Sequence, residues 1–133
     1  MTAVSHPHES LVRGFYAARA RRDLAAVRDV LAPDVVWHEA GSRPPYTGDL
    51  IGREAVLAMM AKAAELTGGT FHLALEDVLA NDRRAVALVD WVAERGGRTL
   101  RGKEIAVYRV QGDRLVEAWF YPDDPRTVDA FWA

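Results

Sequence analysis

"AVALVDWVAERGGRTLRGKEIAVYRVQGDRLVEAWFY", residues 85–121, decides the fold. Three β-rich runs are interrupted only by Gly96-Gly97 and by Gln111-Gly112-Asp113. A run of branched and aromatic residues bounded by such turns reads as a strand, and glycine pairs suit tight hairpins. One step toward the N-terminus, "TFHLALEDVLA" (70–80) adds a fourth run through Asn81-Asp82, a pair that also suits positive φ in a tight turn. The expectation is a four-strand antiparallel meander. Strands this long must twist and coil, so the sheet should curve into a cone.

In "AVALVDWVA" (85–93) both faces are apolar: Val86, Leu88 and Val92 on one, with Asp90, and Ala87, Val89, Trp91 and Ala93 on the other. A strand apolar on both sides expects cover on both. Helices supply one cover. The other face would be a bare apolar patch, so two copies are expected to pair as a homodimer through the outer sheet face.

The helices come from the first half. Leu11, Phe15 and Ala18 share a helical face over about 8–21, with Val12 and Tyr16 beside it. Asp23 is placed to cap a short helix carrying Leu24, Val27, Val30 and Leu31, which Pro33 should stop. "DVVWHEA" (34–40) follows as a strand, then a loop through Pro44, Pro45 and Gly48. A third helix spans about 53–66, with Val56, Met59, Met60 and Ala63 at helical spacing and Gly68-Gly69 as a left-handed stop. "DDPRTVDAFWA" (123–133) reads as a short turn or helix anchored by Phe131 and Trp132. The fold class is α+β: a cone-shaped curved antiparallel sheet, meander plus an N-terminal strand, wrapped around the N-terminal helices.

Composition narrows the function. Of 133 residues half are hydrophobic and 27% charged, as in an ordinary globular domain, so a single domain over 1–133 is expected, with 1–7 mobile. A net charge of -2 supplies no basic field for nucleic acid. The absence of cysteine excludes thiol chemistry and disulfides. No apolar run approaches a membrane span, and the N-terminus does not read as a signal peptide, so no membrane partner and a cytoplasmic location are expected.

Three stretches carry a family resemblance: "FYAARARRDLAAVRDVLAPDVVWHEAG" (15–41), "GREAV" (52–56) and "VYRVQGDRLVEAWFYPDD" (107–124). Over residues 8–122 the chain resembles the nuclear transport factor 2-like superfamily, and within it SnoaL-like and ketosteroid isomerase-like proteins. The resemblance implies a carboxylate base on the first strand, and Glu39 holds that position. The isomerase's two oxyanion donors fall on Phe15 and Ala106 here, so its arrangement is missing. SnoaL-like cyclases set an acid after the "EAW" tryptophan, where this chain has Phe120. Limonene epoxide hydrolases, of similar fold, use two aspartates flanking an arginine, and no such strand pattern occurs here.

Glu39 is therefore the leading catalytic candidate. Strand alternation puts it on the same face as Trp37 and opposite His38. An inward carboxylate loses solvation, which raises its pKa toward the range useful for a general base. His38 is a second catalytic candidate, at the cavity rim or on the outer face. Asp90 is a third, as a charge within an apolar strand; the resemblance points it outward, toward an arginine partner. Glu104 shares a face with Ala106 and Tyr108 and would look into the mouth of the cone. Tyr16, Trp37, Met59, Trp91, Tyr108 and Trp119 are the candidates to line a substrate pocket. His6, His8 and His72 form no ligand set, and "HEAGS" (38–42) lacks the second histidine of a zinc motif, so no metal and no cofactor are expected. The expected function is acid–base chemistry on a hydrophobic carbonyl or polyketide-like small molecule, by an isomerase, cyclase or hydrolase. The alternative is a non-catalytic ligand-binding or partner domain on the same scaffold.

Overall fold

The computed structural model describes residues 6–133. Its elements run α1 (Pro7–Ala20), α2 (Leu24–Val30), β1 (Leu31–Arg43), β2 (Tyr46–Ile51), α3 (Arg53–Leu66), β3 (His72–Ala80), β4 (Arg84–Arg95), β5 (Arg98–Gln111), β6 (Arg114–Pro122) and α4 (Pro125–Trp132). The six strands form one curved sheet in the order β2-β1-β6-β5-β4-β3, open at β2 and β3. β3 to β6 are the meander; β1 lies parallel to β6, and β2 returns antiparallel to β1. The α+β cone follows from the alternation and turn chemistry of the second half. No helix among the described residues is long and apolar enough to cross a membrane.

Several local expectations needed correction. The stretch after β1 is a hairpin into β2 rather than a loop, so the sheet gains a strand. α2 ends at Val30, before Pro33, and Leu31 is already strand. The β3–β4 turn does not use positive φ: Asn81 Oδ1 accepts from the backbone N–H of Arg83 and of Arg84, both at 2.9 Å. A side chain thus mimics the turn's backbone acceptor. Of the segment expected to be mobile, residues 1–5 lie outside the described residues, and His6 and Pro7 form the N-cap and first residue of α1.

The core sits where α1 lies in the cone. Phe15, Tyr16, Trp37, Tyr108 and Phe120 pack with ring centroids 4.8 to 6.3 Å apart, many edge-to-face. Val12, Val27, Leu31 and Val56 seal its edges. A smaller cluster of Ala63, Trp91, Ala93, Phe131 and Trp132 lies under α4. That helix is pinned at both ends. Asp124 caps it by accepting from Thr127, and Arg95 and Arg98 donate to the Phe131 and Ala130 carbonyls at its C-terminus. Cations suit that end because the last carbonyls are unpaired and carry the helix's negative pole.

Candidate functional site

Between α1, the β1–β2 hairpin, the middle of β5, the end of β6, and α4, the cone keeps a narrow cleft of about 640 Å³, counting its open mouth. Its apolar wall is Phe71, Leu73, Trp91, Phe120, Val128 and Trp132. Its polar groups are Arg19, Glu39, Tyr46, Glu104 and Asp129. Two glycines make room. Gly41 sits in the irregularity where β1 shifts register against β2, and a Cβ there would stand 2.1 Å from the Tyr46 carbonyl oxygen. Gly102 pairs with Trp91 across β4–β5, and its missing side chain lets the indole lie over β5; a Cβ would meet Trp91 Nε1 at 2.6 Å.

Glu39 and Glu104 are the chemistry-bearing pair. β1 alternation turns Trp37 and Glu39 to the inside together, and Trp37 Nε1 donates to Glu39 Oε1 at 2.8 Å. Burial, then the neighbouring Glu104 charge, pushes the Glu39 carboxyl up to about 8, against the opposing Trp37 hydrogen bond and Arg19 charge. Burial likewise raises Glu104 to about 7, opposed by Arg19. The two titrate as a coupled pair that keeps at least one proton at pH 7. One carboxylate to accept a proton and one carboxylic acid to donate one therefore coexist at neutral pH.

Arg19 projects from the last turn of α1, one turn beyond Phe15, with its guanidinium carbon 5.6 Å from that ring's centroid and 5.9 Å from that of Tyr16. The Tyr46 ring packs between Phe71 (6.0 Å) and Trp132 (5.1 Å). Its hydroxyl is buried and has no hydrogen-bond partner among the described residues. Burial raises the Tyr46 pKa, which keeps that hydroxyl a donor. Asp129 is occupied otherwise: its carboxylate accepts from the Ser42 backbone N–H at 2.9 Å and Oγ at 2.8 Å, which holds it ionised and ties α4 to β1.

The structure separates the remaining candidates. His38 faces outward, with Nδ1 2.8 Å from Asp49 Oδ1, Nε2 2.7 Å from Glu117 Oε2, and its ring stacked on Trp119 at 5.4 Å. Those hydrogen bonds raise its pKa, and Glu117 is lowered in return. Asp90 also faces outward, where Lys103 Nζ, rather than an arginine, donates to it at 2.8 Å. Neither joins Glu39, because each is an odd number of positions from an inward residue on its own strand. Of the six pocket candidates, Trp91 alone lines the cleft. Tyr16, Trp37, Met59 and Tyr108 are core, with the Tyr16 and Tyr108 hydroxyls bonded to each other at 2.5 Å, and Trp119 is on the outer face. No group of three or more potential metal-ligating side chains occurs among the described residues.

Arg19, Tyr46, Phe71 and Trp132 escaped the sequence reading. Arg19 had a legible signal, a charge three and four positions after two core aromatics and so on their helical face. Tyr46 had none, because the strand carrying it was read as loop.

A curved, unclosed sheet folded over N-terminal helices defines the nuclear transport factor 2-like class. The family model described as "SnoaL-like domain" matches residues 12–118, and the chain belongs to that family. An uncharacterized protein of Mycobacterium tuberculosis is 35% identical over 124 residues, 92% of this chain and 94% of its own. Bal32a, from a soil-derived mobile gene cassette, is similar in structure with a TM-score of 0.91 at 30% identity, covering 96% of this chain and 97% of its own. An NTF2-like protein of Burkholderia pseudomallei gives 0.85 at 26% identity, over 97% and 99%. IdmH of Streptomyces antibioticus, a proposed polyketide cyclase, gives 0.75 over 95% and 99%; at 19% identity it shares the fold. The SnoaL-like family includes polyketide cyclases and related enzymes.

Proposed function

We propose that the protein is a cofactor-independent acid–base enzyme, an isomerase, cyclase or hydrolase acting on a hydrophobic carbonyl or polyketide-like molecule. Glu39 and Glu104 transfer the protons. The observation that carries this reading is the pair of half-buried carboxyls on one apolar cleft, with pKa values of about 8 and about 7. Values near the working pH are what proton transfer at carbon requires, and such catalysis contributes roughly 10²–10⁴-fold.

The ionised member of the pair removes a proton from the carbon beside the carbonyl. The C–H electrons form the enol double bond, and the protonated member gives its proton to the carbonyl oxygen. Reprotonation at another carbon is isomerisation. Attack of the enol carbon on a second carbonyl is ring closure. Both return the two glutamates to their starting protonation, and neither consumes an oxidant. The family's polyketide cyclases support this assignment of substrate class.

The test is hydrogen–deuterium exchange at the activated carbon of 2-tetralone, followed by proton NMR. Glu39→Gln and Glu104→Gln should each slow exchange by about 10²-fold or more. Exchange equal in wild type and both variants, with binding retained, would leave the ligand-binding alternative.

We also propose that two copies pair through the outer sheet face. The cross-strand rows Val86–Val107–Trp119 and Leu88–Ile105–Tyr121 make a continuous apolar patch there. Ile105 and Tyr121 are 45% and 55% exposed. A monomeric mass by light scattering at micromolar concentration would overturn it.

A further inference from the structure

Two groups of the cleft lack a hydrogen-bond partner beside the Glu39–Glu104 pair. Arg19 makes no ion pair or side-chain hydrogen bond among the described residues, and the Tyr46 hydroxyl is buried without a partner. Both residues also border a second hollow of about 990 Å³, counting its opening, between α1, α2, α3 and the start of β3. Phe71 and Leu73 are shared in the same way. Arg19, Tyr46, Phe71 and Leu73 thus stand between the cleft and this helix-side lobe, and that shared boundary is the waist. The second lobe is mostly apolar, lined by Leu24, Val27, Met60, Ala63 and Ala64.

We propose that Arg19 and Tyr46 together are the receptor for an acidic oxygen of the substrate. The ligand is then an apolar ring compound bearing a carboxylate. Its body fills the helix-side lobe, its acidic group sits at the waist, and its reactive carbonyl reaches Glu39 and Glu104. This rests on the cleft being the substrate site, as in the reading above, but does not require turnover.

The chemistry favours an anion over a neutral ligand. A hydrocarbon at the waist would cover the guanidinium and the buried hydroxyl and give neither a partner, and a neutral ketone oxygen would accept a hydrogen bond but bring no charge to meet the guanidinium. A carboxylate satisfies both, since arginine presents a planar donor fork and the tyrosine adds one O–H. The other charges of the cleft permit it. Asp129 is turned to Ser42, and the glutamate pair is largely protonated below pH 7. Arg22 borders the second lobe and adds a positive charge there.

Isothermal titration at pH 6 with 2-naphthoate and its neutral counterpart 2-naphthylmethanol tests the assignment. Wild type should bind the naphthoate at least tenfold more tightly. Arg19→Gln should remove that preference while leaving the neutral probe within about twofold. Tyr46→Phe, which changes one oxygen in a packed ring, should weaken the naphthoate severalfold, so the test does not depend on one variant folding. Glu39→Gln should keep the preference while losing exchange into 2-tetralone. Equal binding of the two probes, saturable binding of neither, or a preference that survives Arg19→Gln overturns the receptor. Loss of exchange activity in wild type with the preference intact overturns the acid–base reading alone.

Discussion

Replacing Glu39 by glutamine should flatten the protein's stability against pH on the alkaline side. The substitution keeps the side-chain oxygen that accepts from Trp37 and removes the titration. A carboxyl whose pKa rises from 4.5 unfolded to about 8 folded binds more protons in the native state across that interval. Native stability therefore falls as pH rises from 4.5, and the loss is complete above 8. At about 1.4 kcal/mol per pH unit the interval corresponds to about 5 kcal/mol. That figure is a ceiling, because the cleft opens to solvent and can relax around the charge; about half of it is a working value. For a 133-residue domain, with an unfolding entropy of ~0.28 kcal/mol/K, half corresponds to roughly 9 °C in Tm. The assay is thermal unfolding by circular dichroism at pH 5.5 and pH 9. The window takes in about 2.5 of the 3.5 pH units, so wild type should lose roughly 6 °C more than Glu39→Gln between the two. His38 contributes equally to both proteins, so the difference reports Glu39 together with its coupling to Glu104. Parallel pH dependence in the two proteins would refute the claim that Glu39 is buried and titrates near neutrality.

Gly102→Ala should drive the Trp91 indole off β5, costing about 1–3 kcal/mol by overpacking and weakening ligand binding, measurable by denaturant titration and by quenching of tryptophan fluorescence. Trp37→Phe removes the hydrogen bond that favours ionised Glu39, so the Glu39 carboxyl titration, followed by carbon-13 NMR, should move above its wild-type position. His38 should titrate above 6.5 in proton NMR because Glu117 and Asp49 both hold its protonated ring. Its contribution to stability is complete below 6.5 and is lost as pH rises through the folded value, so His38→Gln should destabilise most at acid pH. An unshifted His38 titration would contradict the observed pairing.

Much of the site's geometry was visible along single strands. Trp37 and Glu39 share a face, His38 opposes them, and Glu104 shares a face with Tyr108, all from a period of two. Which aromatics line the cleft was not visible. Tyr16, Tyr108 and Trp91 are all inward-facing, and only Trp91 reaches the cleft, because depth along the cone is set by how far α1 penetrates the sheet. The β2 strand was hidden because Pro44, Pro45 and Gly48 mark a loop, while Tyr46–Ile51 becomes a strand only by pairing with β1 across that turn.

Residue order alone determined the meander, the helices α1 and α3, the α+β class and the inward side of β1, β4 and β5, since these follow from local periodicity and backbone preference. Tertiary structure decided that Glu39 on β1 and Glu104 on β5, in strands separated by β6, share one desolvated cleft. It also placed Arg19 and Tyr46 between that cleft and the helix-side hollow. Burial and the distance between charges set the chemistry of these groups, and both exist only once the sheet has curved around its helices.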